Sequence, residues 1–172
     1  LVNIITGKAL QDESIKFTEI EEVHISNKKT LQRSMIKPND ILMLSRGATP
    51  KFAIADDYFE QNEVYAMSNL FILRPINNVS PAFIQAYLTS PFGLMALTKV
   101  QKGTTIPMIT AKAIKQLPIP FVDNKKQNEI HEQFIGSLDK YRKKVREAKK
   151  ELYEERINIY EQMGLMNTIH KN

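Results

Sequence analysis

The chain has 172 residues, 42% hydrophobic and 25% charged, which suffices for one proper core with an appendage and excludes wholesale disorder. It has no cysteine, so a disulfide framework and a thiolate metal site are excluded, and no run approaches the ~18 consecutive apolar residues of a membrane span. The net charge of +5 is unevenly placed: residues 1–60 carry eight Lys and Arg against nine Asp and Glu, whereas residues 61–122 carry five against one.

Residues 2–5, ahead of Gly7, and residues 23–25 read as short strands. Ile36-Lys37-Pro38-Asn39-Asp40 joins a proline to two turn formers and feeds the apolar run 41–44, a buried strand. After the polar loop 45–51, residues 52–55 form an antiparallel neighbour that ends at Asp56 and Asp57. Residues 64–67 and 69–73 supply further strands, closed at Arg74-Pro75 because proline cannot donate to a ladder. Ser80 is a natural N-cap, with Pro81 at the first helical position and Phe83, Ile84, Tyr87 and Leu88 at helical spacing. Ser90-Pro91 repeats the start signal for a turn-rich segment through Leu97. Residues 99–106 are polar and contain a glycine, Thr110 caps a short helix, and the prolines of Leu117-Pro118-Ile119-Pro120-Phe121 keep that stretch extended.

From Lys125 only Gly136 interrupts a helical composition before Gly164, and Asn124 with Gln127 has the spacing of a capping box. Phe134, Leu138, Tyr141, Val145, Ala148, Leu152 and Ile159 recur at alternating four- and three-residue steps, the seam of a helix that packs along a partner. At ~1.5 Å per residue the helix spans roughly 55–60 Å, more than its own domain needs. Glu155 breaks the seam, and around it Tyr153, Ile157, Tyr160 and Met163 carry the stripe sideways. The flanking Lys and Arg, interleaved with Glu as in the Lys150 and Glu154 pair, read as a solvated face, with phosphate contact as the alternative. The expected fold is α+β: a mostly-β domain with short helices over 1–122, a long coiled-coil helix over 123–164, and a tail over 165–172.

Catalytic chemistry finds no residues to carry it. There is no phosphate-binding glycine loop, since the 47–51 stretch is too short to cradle a triphosphate, and no glycine-rich cofactor turn or Asn/Asp-Pro-Pro-aromatic run of an amino-methyltransferase. Asp40 with Glu147 and Lys149 imitates a nuclease set, but the latter two flank a seam residue of the helix, where charges serve solvation and pairing. His24, His131 and His170 are isolated from one another and from carboxylate pairs, so they read as surface histidines with no metal. The expectation is no catalytic residue, no metal and no cofactor in this chain.

Taken in order, these segments resemble the specificity subunit of type I restriction–modification enzymes. The 37–48 stretch, Lys-Pro-Asn-Asp-Ile-Leu-Met-Leu-Ser-Arg-Gly-Ala, is similar to that family's Gly-Asp-Ile-Leu-x-Ser-Arg-x-Gly run, and Lys51-Phe52-Ala53-Ile54 follows it. Residues 69–75 resemble its Asn-to-Pro strand, residues 83–90 its helix ending Tyr-Leu-x-Ser, and residues 102–110 its glycine–threonine loop. Leu117-Pro118-Ile119-Pro120, with Gln127 and Ile130, is similar to the start of its spacer helix. The chain departs at Asn39, where glycine is usual, at Val122-Asp123, which replaces a double proline, and at Lys126, where glutamate is common. The resemblance covers roughly Gly7 through Met163.

It implies a target-recognition domain that reads one half of a split sequence in double-stranded DNA, followed by a helix that serves as spacer and docking rod. Such subunits carry two of each, so the second half is expected from a homodimer or from a longer chain, and the opening Leu1 points to a processed chain or a fragment. Paired helices would span ~17 base pairs at ~3.4 Å each. S-adenosylmethionine then belongs to methyltransferase (modification) subunits, and ATP and Mg to the machinery of restriction subunits, all in the cytoplasm and away from membranes. The candidate DNA contacts are Lys28, Lys29 and Arg33, then Arg46, Thr49 and Lys51, then Lys99, Lys102, Thr104 and Thr105. Motif residues shared by readers of different sequences position the duplex rather than choose bases, an objection that the 28–33 stretch escapes. The alternatives are a coiled-coil protein-interaction adaptor, an anti-restriction decoy, or an enzyme with an unrecognised site.

Overall fold

The central strand starts from a polar turn whose backbone is left-handed. In the structure, a computed structural model that describes residues 1–67, 69–103 and 105–165, Asn39 takes φ +68 two residues ahead of β5 (Ile41–Leu44). Glycine and asparagine are the residues that tolerate this region, so Asn39 meets the same backbone need as the glycine usual at that place. β5 pairs antiparallel with β6 (Phe52–Ile54) through Met43↔Phe52 and, on its other edge, with β8 (Leu70–Leu73) through Leu44↔Leu70.

Why 41–44 is a continuous apolar run follows from the two-residue period of a strand, which sends neighbours to opposite faces. Leu42 joins one core cluster with Ile5, Ile36 and Val64. Ile41 and Met43 join another with Phe52, Leu88, Leu97 and Ile109. The sheet is therefore buried on both faces.

A second sheet has β1 (Val2–Ile5) between β4 (Glu21–Val23), antiparallel, and β7 (Val64–Ala66), parallel. β4 begins two residues before the stretch expected at 23–25. Glu21 and Glu22 are exposed charges on an edge, which hide a strand from hydropathy while protecting it from unwanted pairing. β2 (Leu10–Gln11) and β3 (Ser14–Ile15) form a hairpin that the sequence did not signal. Its two-residue turn is Asp12-Glu13, both at positive φ, where asparagine and glycine are the usual markers.

Four short helices follow: α1 (Tyr58–Gln61), α2 (Pro81–Thr89), α3 (Pro91–Val100) and α4 (Ala111–Lys115). The last three start as their caps predict: Ser80 Oγ accepts from Phe83 N at 3.2 Å, Ser90 Oγ from Gly93 N at 3.1 Å and Thr110 Oγ1 from Ala113 N at 3.2 Å. The segment expected to be turn-rich is the regular helix α3, whose Leu97 seals the second core cluster.

The last helix, α5 (Asn124–Gln162), is 39 residues long. Its cap is Asp123, whose Oδ1 accepts from Lys126 N at 2.9 Å, so the start lies one residue from the expected box. Gln127 is buried and ties the first turn down: its Nε2 donates to Val122 O at 2.9 Å and its Oε1 accepts from Ser80 N at 3.0 Å. His131 is likewise engaged, with Nδ1 3.0 Å from Ser80 Oγ, whereas His24 is exposed and His170 lies outside the described residues. The chain divides into two compact units, Leu1–Phe134 and the part from Ile135 on. The architecture is α+β, small sheets with short helices and a long C-terminal helix. Among the described residues, no helix is long and apolar enough to cross a membrane.

Candidate nucleic-acid interface

The motif aspartate of the 37–48 run is structural. Asp40 is buried to 1% exposure and accepts from Arg74 Nε and Nη2, each at 2.7 Å, and from Lys37 N at 2.7 Å. Arg74 also donates to Met35 O at 3.2 Å. This pair clamps the turn before β5 to the end of β8, and it holds Arg74 above its usual pKa, chiefly through the hydrogen bonds to Asp40. Three donors thus hold the buried carboxylate in a structural role.

At the opposite end of the β6-β5-β8 sheet, the motif loops are laced together. Leu44 N donates to Lys51 O at 2.9 Å and closes the 45–50 loop. Ser45 donates to Asn69 O through both N and Oγ, each at 2.8 Å, with Asn69 itself at φ +65. Ile109 N donates to Ser45 O at 2.8 Å and Gly47 N to Pro107 O at 2.9 Å. Lys102 and Met108 exchange both backbone bonds, at 2.9 and 2.8 Å. Gly103 allows this turn with φ +96, and a Cβ there would lie 3.0 Å from Ile106 O. Strings that stand 60 residues apart in the sequence thus build one surface.

Arg46, Thr49, Lys51, Lys102 and Thr105, all in these loops, and Lys99 on α3 are each exposed, with Arg46 Nη2 3.8 Å from Met108 Sδ. Thr104 lies outside the described residues. Lys28, Lys29 and Arg33 stand apart from this set, on the 3-10 turn Lys28–Ser34 that packs through Leu31 into the cluster of Val2, Ile4 and Tyr65. Lys28 is paired with Glu63, which also accepts from the buried Tyr65 hydroxyl. Lys28's hydrogen bond, then that of Tyr65, holds Glu63 below the usual carboxylate range, and the same bond to Glu63 raises Lys28. Burial first, then the Glu63 bond, pushes Tyr65 up.

The sequence reading missed Lys112, which shares a cleft with Lys99 and Lys102. The signal was the five-to-one charge excess of residues 61–122. Arg74 is consumed by Asp40, and the one acid, Glu63, is consumed by Lys28, so the remaining cations, Lys99, Lys102, Lys112 and Lys115, are unopposed within that segment.

Of the expected pairing residues, Leu138 is buried, Phe134 and Val145 are half-buried, and Tyr141, Ala148, Leu152 and Ile159 are exposed. Among the described residues, no His, Asp and Glu side chains gather in a group that could hold a metal ion.

Residues 2–152 match the family model of the type I restriction modification DNA specificity domain. A search of curated proteins finds no match. The match runs through every laced motif and into α5, and the chain therefore belongs to the type I restriction modification DNA specificity domain family, whose part is DNA recognition rather than catalysis.

Proposed function

We propose that the chain reads one half of a bipartite DNA site and docks the methyltransferase subunits that modify it. Residues 1–122 form the reader, and the helix over 123–164 forms the spacer. The observation that supports this reading is the lacing of Ser45 and Gly47 to Pro107 and Ile109, which joins two loops whose Arg46, Thr49, Lys51, Lys102 and Thr105 are each exposed. Basic residues fix register on phosphates, and nearby polar side chains reach base edges. Arg46 positions the duplex, while Lys29 and Arg33 on the separate 3-10 turn are the candidates for base choice.

The exposed apolar residues Tyr141, Leu152 and Ile159 pair with a second recognition half, in a homodimer or in a longer chain, as a coiled coil that sets the half-site spacing. S-adenosylmethionine sits on the modification subunits, ATP and Mg serve the restriction subunits, and the complex works in the cytoplasm. The test is co-purification with a methyltransferase followed by mapping of methylated adenines. A bipartite motif is the expected result, and binding that ignores both salt and sequence would favour the adaptor or decoy instead.

A further inference from the structure

The cleft between α3 and α4 differs in charge from two other clefts of the first unit. It has a volume of about 660 Å³, and its lining combines apolar Met95, Val100 and Leu117 with three lysines, Lys99, Lys102 and Lys112. No acidic residue lines it, and none of the three lysines makes an ion pair among the described residues. The cleft beside Pro38 contains the Asp40–Arg74 pair, and the one beside Phe59 contains Glu60 and Glu63.

Three like charges in one concavity focus a positive field and suit a polyanion better than a single small anion. Lysine is a flexible point charge that neutralises phosphate without choosing a base, and apolar side chains beside it suit the faces of deoxyribose. Lys102 joins the cleft to the reading surface, because its backbone holds Met108 in the laced loops.

We infer that this cleft seats the sugar–phosphate backbone of one DNA strand, with Lys99, Lys102 and Lys112 on neighbouring phosphates and Met95, Val100 and Leu117 against the sugars. The inference rests on the DNA-reading function proposed above. It divides the labour of the domain: the cleft supplies affinity, and the loops and the 3-10 turn supply register and choice.

The test measures binding of the full chain, with its methyltransferase, to a specific and to an unrelated duplex across a salt series. The variants are Lys112→Gln, the triple Lys99→Gln/Lys102→Gln/Lys112→Gln, and the matching triple Arg variant. All three side chains are exposed, so the variants are expected to melt as the parent does. The slope of log affinity against log salt is expected to fall by about 0.9 per lysine removed, and by about 2.7 for the triple Gln variant. Both duplexes should weaken equally, and the Arg variant should keep the parental slope. An unchanged slope in the triple Gln variant would overturn the assignment, and if the methyltransferase were lost at the same time the cleft would belong to an acidic protein face. A changed preference at a single base pair would overturn it in favour of base reading. If the parent chain itself bound DNA without salt dependence, the failure would lie with the proposed function rather than with the cleft.

Discussion

Asp40 and Arg74 stand 34 residues apart in the chain and meet through two 2.7 Å hydrogen bonds, with the carboxylate buried and the guanidinium half-exposed. A buried carboxylate that loses its partner, or a partner that loses it, leaves polar groups without compensation. Asp40→Ala should therefore destabilise the domain by about 2–4 kcal/mol, with Asp40→Asn costing less because it can still accept from Lys37 N. Urea midpoints check this, and affinity for DNA per folded molecule should hardly change. A large loss of affinity at parental stability would mean that Asp40 serves the interface directly.

The Lys28–Glu63–Tyr65 chain makes stability depend on pH in a defined direction. Glu63 has its folded pKa lowered, so its contribution is present above the usual 4.5 and is lost as pH falls through the lowered value. Glu63→Gln should lower the denaturant midpoint at neutral pH, and the gap from the parent should close in acid. A gap of constant size from neutral to acid pH would show that the ionised pair is not the source. Tyr65 should ionise only above the ordinary phenol range, read by ultraviolet absorbance.

Lys28 and Arg46 should behave differently toward DNA. Lys28 already has Glu63 as partner, so Lys28→Gln should reduce the salt slope by less than Lys112→Gln does. Arg46 lies in a motif common to readers of different sequences, so Arg46→Ala should weaken all duplexes alike. Relaxed preference at one base pair in Arg46→Ala would instead make it a reader, with a discrimination cost of about 1–3 kcal/mol.

On α5, Val145 is half-buried and Leu152 exposed, at positions where the seam expects a partner. Replacing both with Asp places charge in any paired seam and should yield monomers by sedimentation while the reading unit still melts normally. Unchanged mass would count against paired helices.

What the sequence alone determined lies close together along the chain. The turn before β5, the caps at Ser80, Ser90 and Thr110, and the long uninterrupted helix are each specified by residues a few positions apart, through φ preference, cap chemistry and periodicity. The tertiary structure decided the parallel pairing of β1 with β7, the Asp40–Arg74 clamp, the lacing of Gly47 to Pro107, and the place of Lys112 beside Lys99 and Lys102. These join residues from nearby loops or from dozens of positions away, and such contacts exist only once the two faces of β5 are covered. No local pattern records which loop will meet which, because that depends on how the whole core closes.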